Sequence, residues 1–334
     1  KKNAQTDFLL FQSGEKIDIK ELAYMTGGGA TNTAVTFKKL GFEVDCFVKI
    51  GKDKAGEHIL SDLAKHEVGT KQIKQSDQHQ TGTSFIVNSH NKTRTIFAYR
   101  GANGFIQEED IPYDQIKKYD QLYITSLSNK SCKYLPKITD IAKQHNIPVA
   151  INPGTSQLKV NTESLKQSLK NIDTLILNSS EAKIFMSTLA ASDQVYQQAL
   201  KSNSEPKQCE SPTDIEKPYL IQNPVIYENI FFSIKKFFQE ILKAGPNTVV
   251  ITNGCNGVYA AQKNKIFFHP SIKTNIVDNV GAGDAFGSCF TASILMNADI
   301  KSSLRNGVLN SASVLEKLGA KQGLLDTGQL NEKI

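Results

Sequence analysis

Five short runs of largely apolar residues punctuate the chain: Cys46-Phe47-Val48-Lys49-Ile50, Leu122-Tyr123-Ile124, Val149-Ala150-Ile151, Leu175-Ile176-Leu177 and Val249-Val250-Ile251. Successive strand residues point to opposite faces, so runs of this kind predict strands covered on both sides. Between them, apolar residues recur at helical spacing, as in Ile59, Leu60, Leu63 and Ala64, or Ile138, Ile141 and Ala142. Buried strands alternating with amphipathic helices predict an α/β fold with a mainly parallel sheet between helical layers. Right-handed crossovers then bring the strand C-terminal ends, and any ligand, to one edge.

Two stretches break this rhythm. From Thr83 to Tyr99 the pattern alternates, with Phe85 and Val87 before a polar turn (Ser89-His90-Asn91-Lys92) and Ile96 and Ala98 after it. Period two predicts a β-hairpin standing outside the α/β layers. The opening runs Phe8-Leu9-Leu10-Phe11 and Ile17-Asp18-Ile19 are expected to pair with it. Segments 1–27 and 81–103 are therefore read as a small β-sheet lid, and 28–80 with 104–334 as the core. The second stretch, residues 192–227, is rich in Gln, Ser, Asn, Lys and Pro. It is expected to be a polar surface insert away from the ligand edge.

Composition narrows the class. With 39% apolar and 22% charged residues, the 334-residue chain has the balance of a globular protein, not a disordered one. No apolar stretch approaches the ~18 residues of a membrane span. The net charge, 39 − 33 = +6, comes from lysines interspersed with acids, so neither nucleic acid nor membrane is an expected partner. Cys46, Cys132, Cys209, Cys255 and Cys289 show no metal-ligand spacing and read as free thiols in a reducing, cytoplasmic compartment. The first seven residues contain no apolar signal-peptide core, and further sequence is expected upstream because position 1 is Lys.

The sharpest chemical signal is Asp278-Asn279-Val280-Gly281-Ala282-Gly283-Asp284-Ala285-Phe286-Gly287. Phe286, Phe290, Ile294 and Leu295 continue it at helical intervals, placing the glycine turn at a helix N-terminus. Backbone N–H groups there lack intrahelical partners and the helix dipole is positive. Gly281 and Gly283 would let those amides approach a phosphate closely. Asp284 beside them could take a proton from an attacking hydroxyl. Taken alone, an Asp after Gly at a helix start reads more simply as an N-cap.

A second turn, Gly27-Gly28-Gly29-Ala30-Thr31-Asn32-Thr33-Ala34, opens the helix through Phe37 to Leu40. Its glycines permit a tight backbone, and Asn32 offers a donor and an acceptor to a polyol. No Gly-Lys-Ser/Thr follows, so it is not a nucleotide P-loop.

Together these segments resemble the two signatures of the PfkB carbohydrate kinases, the ribokinase-like family, and the resemblance runs along nearly the whole chain. Gly51-Lys52-Asp53-Lys54-Ala55-Gly56, Asn178-Ser179-Ser180-Glu181, Thr252-Asn253-Gly254-Cys255-Asn256-Gly257 and Gly319-Ala320 are similar to further family elements, in family order. The resemblance implies a ribokinase-like three-layer fold with a β-sheet lid, and ATP-dependent phosphorylation of a sugar-like alcohol. It implies Asp284 as base and Gly281, Ala282 and Gly283 as amide donors to the transferring phosphoryl group. It implies Asn178 and Glu181 near Mg²⁺ and its waters, with Thr252, Gly254 and Gly257 bordering the nucleotide. Gly28, Gly29 and Asn32 would face the acceptor, with Arg100, Gly101 and Asn103 descending from the lid. By the same resemblance, a monovalent cation such as K⁺ would sit near Asp278, and a homodimer would form through the lid.

The chain departs from the family pattern at Asn279, where a Thr or small residue is usual. An Asp on an opening strand, common in the family, has no match; Asp7 and Asp18 are poor candidates, and that strand is expected upstream of Lys1. The stretch Ile124-Thr125-Ser126-Leu127-Ser128 has no Glu of the ribokinase kind, while Asn152-Pro153-Gly154 resembles a turn of sugar-phosphorylating members. A sugar kinase is therefore favoured, with a nucleoside kinase or a catalytically silent ligand-binding regulator as competing readings.

Overall fold

The computed structural model describes residues 10, 12–19, 21–88, 94–192, 194, 196–197, 218–223, 225–227, 230–263 and 265–333. Its strands are β1 (Lys49–Gly51), β2 (Lys74–Ser76), β3 (Thr83–Asn88), β4 (Arg94–Tyr99), β5 (Leu122–Ile124), β6 (Val149–Ile151), β7 (Thr174–Asn178), β8 (Val225–Tyr227), β9 (Ile230–Phe232), β10 (Thr248–Thr252), β11 (Val258–Gln262) and β12 (Lys265–His269). Its helices are α1 (Gly29–Lys39), α2 (Lys54–Lys65), α3 (Leu135–Gln144), α4 (Thr162–Ser168), α5 (Ser179–Ser192), α6 (Tyr219–Gln222), α7 (Ile234–Lys243), α8 (Ala282–Leu295), α9 (Ile300–Leu315) and α10 (Thr327–Glu332).

The central sheet runs β12-β11-β10-β7-β6-β5, with β5, β6, β7 and β10 parallel and β11 and β12 antiparallel. Alternate strand residues enter opposite cores, which is why the apolar runs are continuous. Leu175, Leu177, Val249, Ile251 and Tyr259 face one layer with Leu135 of α3, Leu165 of α4, Phe185 of α5 and Phe237 of α7. Ile176, Val250, Val258 and Ala260 face the other, against Phe286 and Phe290 of α8 and Leu304 and Val308 of α9. Helix α1 joins α8 through Phe37, Cys289 and Ala292. Burial pushes the Cys46 and Cys289 thiols up to about 12, as inert core cysteines require.

The first apolar run does not enter this sheet. Its end forms β1, which pairs in parallel with β2 as a separate two-stranded unit, while Cys46 and Val48 pack against Ala34, Val35 and Leu63. The hairpin is where alternation put it: β3 and β4 pair with Phe85 opposite Phe97. Phe8, Leu9 and Phe11 lie outside the described residues; the described residues of the opening segment up to Gly28 carry no strand, and among the described residues β3 and β4 form a two-stranded sheet of their own.

The centre of the polar insert lies outside the described residues. Its described flanks differ from a surface excursion: Tyr196, Leu220 and Val225 are buried in the larger core. The Leu220 N–H donates to Tyr259 Oη at 3.1 Å, and Tyr259 pairs with Ile251, next to Thr252 at the strand end. Scattered apolar residues in a polar stretch have no periodicity to reveal such packing.

Candidate active site

Strand register assembles the site. Thr252 at the end of β10 lies opposite Asn178 at the end of β7, and Asn152 immediately follows β6. Three polar side chains thus stand in a row at the C-terminal ends of strands whose centres are apolar. With Ile176, Leu177, Glu181, Asn279, Gly281, Gly283 and Asp284 they line a cleft at the start of α8.

Helix α8 begins at Ala282, two residues before Asp284, so Asp284 is not its N-cap. Gly281 is, in a left-handed conformation (φ +81°) that strains any residue with a Cβ. No side chain caps this helix, and a Cβ at Gly283 would meet nothing within 4 Å. Uncapped amides in front of open space are suited to an anion. Asp284 stands on the first turn, and Asn32 Nδ2 of α1 donates to its Oδ2 at 2.7 Å. That bond crosses 252 positions of sequence and orients the carboxylate. Asn32 is only 4% exposed, so it acts first on Asp284 and less as an open polyol contact. Its Oδ1 is buried without a partner. Gly28 caps α1 with φ +102°, and a Cβ at Gly29 would come 3.1 Å from Thr125 Cβ after β5.

Asn178 and Glu181 form a reciprocal cap on α5. The Asn178 N–H donates to Glu181 Oε2 at 2.8 Å, and the Glu181 N–H to Asn178 Oδ1 at 2.8 Å. The cap does not leave Glu181 solvated: burial pushes its carboxyl above the usual range, and the negative charge of Asp284 adds to the rise. Hydrogen bonds from Asn178 and Asn152 oppose this in part. Two carboxylates facing one cleft, with no Lys or Arg among its lining residues, make a donor set that fits a divalent cation. Among the described residues no group of three or more His, Cys, Asp or Glu could hold a metal, so such an ion would be held through waters and phosphates.

The remaining expected residues lie around this cleft and not in it. Gly254 (φ +55°) and Gly257 (φ +83°) shape the β10–β11 turn beyond Thr252. Arg100, Gly101 and Asn103 gather at the foot of the hairpin, where Arg100 is exposed and Asn103 Oδ1 accepts from the Lys49 N–H at 3.1 Å. Both Asp278 oxygens accept backbone amides, from Val280 and Gly319, each at 3.0 Å. Asn152 and Asn279 are lining residues that motif reading did not assign. A single Asn after a strand has little local signal, and only the register of neighbouring strands brings Asn152 beside Glu181.

A carboxylate beside an uncapped helix start, with a second carboxylate lining the same cleft, is an arrangement that phosphoryl transfer onto an alcohol can use. The family comparison agrees: the model of the pfkB family carbohydrate kinases matches residues 3–208 and 233–327, and the chain belongs to that family. It is thus a phosphotransferase with an alcohol group as acceptor, an ATP-dependent kinase of the PfkB sugar-kinase kind. The ribokinase of Staphylococcus aureus (strain COL) is 24% identical over 323 residues, covering 96% of this chain and 92% of that protein. Arabidopsis thaliana ribokinase, solved with ribose and ATP, superimposes with a TM-score of 0.73 at 17% identity, covering 97% and 92%. The Methanocaldococcus jannaschii nucleoside kinase gives 0.69 at 18%, covering 97% and 91%. Likenesses at these identities show the ribokinase-like three-layer fold. The family model skips 209–232, so the second half of the insert lies outside the matched family pattern.

Proposed function

We propose that the protein transfers the γ-phosphoryl group of ATP to a hydroxyl of an uncharged sugar or sugar-like molecule, with Asp284 as the base. The observation that carries this is the Asp284 carboxylate, held by Asn32 on the first turn of an uncapped helix. Asp284 takes the hydroxyl proton while the amides of Gly281, Ala282 and Gly283 receive the negative charge of the transferring group. Gly28, Gly29 and Thr125 border the acceptor, Arg100, Gly101 and Asn103 cover it from the lid, and Thr252, Gly254 and Gly257 border the nucleotide. Glu181 and Asn178 would hold Mg²⁺ through its waters, and the ion, when bound, neutralises phosphate charge.

The acceptor class follows from charge. The cleft's lining charges are Asp284 and Glu181, and Arg100 of the lid is the one cation this reading places over the acceptor, which favours a neutral alcohol over a sugar phosphate. ADP release is expected with D-ribose or adenosine and not with fructose 6-phosphate. Turnover of the sugar phosphate alone would overturn the neutral-acceptor reading, and no turnover with any alcohol would favour the silent regulator. Repeating the assay with K⁺ exchanged for tetramethylammonium tests a monovalent cation at the Asp278 loop.

Glu181 gives a pH-dependent expectation. Its carboxyl is raised, so on acidification it protonates at a higher pH than an ordinary Glu. Protons then compete with Mg²⁺, and the Mg²⁺ needed for half-maximal rate rises as pH falls through that raised value. Glu181→Gln keeps the α5 cap, since Gln serves in a capping box. It should raise the Mg²⁺ requirement and flatten its dependence on pH, at unchanged melting temperature. An unaltered Mg²⁺ titration would leave Glu181 as a cap alone.

The hairpin exposes Phe85, Phe97 and Tyr99 at 53%, 54% and 53%, an apolar surface that a second copy of the lid would cover. Sedimentation should give a dimer for the native chain and a monomer for Phe85→Glu with Phe97→Glu. A native monomer at micromolar concentration would remove the dimer. No helix of the described residues is long and apolar enough to cross a membrane, and the buried free thiols support a reducing, cytoplasmic setting.

A further inference from the structure

We infer that Lys321, Asp62 and Thr26 form a partly buried positioning clamp that holds the two glycine turns of the active site against each other. Lys321 Nζ donates to Asp62 Oδ2 at 2.6 Å and to Thr26 Oγ1 at 2.9 Å. Thr26 Oγ1 donates to the same Asp62 oxygen at 2.5 Å. Lys321 is 7% exposed, so its charge is matched inside the protein. Burial works against the Asp62 carboxylate, but the bonds from Lys321 and Thr26 outweigh it and hold the group below its ordinary range. The three residues come from parts of the chain 295 and 259 positions apart.

All three stand where the two turns meet. Thr26 immediately precedes Gly27-Gly28-Gly29, the turn that opens α1 and sets Asn32. Lys321 immediately follows Gly319-Ala320, and Ala320 packs directly beneath Gly281, where any Cβ would overlap it. The Gly319 N–H also holds Asp278 Oδ2, and Gly319 lies against Met25 Sδ. Asp62 sits on α2 and reaches the junction through its bonds to Thr26 and Lys321. Residues 21–28 and 316–323 lack strand or helix, so no backbone ladder sets their separation. Packing of α1 on α8 brings the helices together, and the directional side-chain cluster fixes the loops in front of them. Buried ion pairs add little net stability over apolar replacements, whereas their hydrogen bonds specify geometry. Lys321 is thus a positioning residue: it touches no reacting atom, and it acts through the Asn32–Asp284 spacing. The inference rests on the proposed roles of the two turns as acceptor side and phosphoryl side.

Hydrogen exchange of the full chain, read by mass spectrometry, tests the clamp without any acceptor. Lys321→Met should speed exchange at least about tenfold at residues 32–36 and at 285–288 together, the first hydrogen-bonded amides behind the two turns, the size expected for losing a charge-assisted hydrogen bond. Exchange in α5 should be unchanged. The pair Lys321→Met with Asp62→Leu leaves no unmatched buried charge, and should show the same two loosened turns at near-native melting temperature. Thr26→Val, which removes one hydroxyl at constant size, carries the test should either variant fail to fold. Lys38→Met, breaking the Lys38–Glu43 pair on the outer face of α1, serves as the control that changes neither turn. Loosening confined to residues near 321, or unchanged protection at both turns, would overturn the clamp. With D-ribose as acceptor probe, kcat in Lys321→Met should fall by about 10–100-fold at constant ATP KM, as misplacement of about 1 Å does. A native protein inert toward ribose would count against that acceptor and not against the clamp, which the exchange result decides.

Discussion

Asp284→Asn lowers kcat by about 10²–10⁴-fold, the usual cost of losing a general base, while ATP affinity and the melting temperature stay near native. The fold tolerates the change for a visible reason. Asp284 lies within the first turn of α8 and is not its cap, and the replacement's amide oxygen can still accept from Asn32 Nδ2. Size and the α1–α8 link are therefore kept, and what disappears is an oxygen able to take a proton. Asn32→Ala should act in the same direction but less strongly, since the carboxylate remains and only its orientation is loosened. Steady-state ADP release on the true acceptor, with a thermal melt of each variant, provides the measurement. A folded Asp284→Asn protein with near-native kcat would remove the base from the mechanism.

The two glycines of the α8 turn should respond in opposite ways to Ala. At Gly281 the backbone is left-handed and a Cβ would lie 2.5 Å from the Ala320 backbone, so strain and overlap combine. Gly281→Ala is expected to destabilise the protein by roughly 2–4 kcal/mol and to abolish activity with it. Ala320→Gly should not rescue it, because the overlap with the backbone of residue 320 and the positive φ both remain. Gly283 has open space before it and a helical position, where Ala is favoured over Gly by up to about 1 kcal/mol. Gly283→Ala should therefore melt at or above the native temperature and still lose at least about tenfold in kcat, because its methyl group stands where the phosphoryl group approaches the amides. Native kcat in that variant would mean the amide cradle is not used.

Much of this architecture is legible in the chain because it depends on local regularities. Leu175-Ile176-Leu177 and Val249-Val250-Ile251 have to be doubly covered strands, since each places apolar groups on both faces. The Thr83–Tyr99 alternation likewise specifies a hairpin. The order of the glycine turns, Asn178-Ser179-Ser180-Glu181 and Gly319-Ala320 identifies the family, because each motif is a local backbone device whose residues are adjacent.

Tertiary structure decided everything that depends on partners distant in sequence. It withheld β1 from the central sheet, since pairing with β2 and packing between α1 and α2 cannot be read from five residues. It turned Asn32 toward Asp284 across 252 positions, and made Glu181 both a helix cap and a carboxyl raised by burial beside a second negative charge. Strand register put Asn152 beside that pair. Lys321, Asp62 and Thr26 carry no motif at all: an ion pair is a meeting of charges, and the chain's order does not record which of its many lysines and acids will meet. Helices and strands follow from residues close enough to share a backbone period, whereas an active site follows from where those elements come to rest.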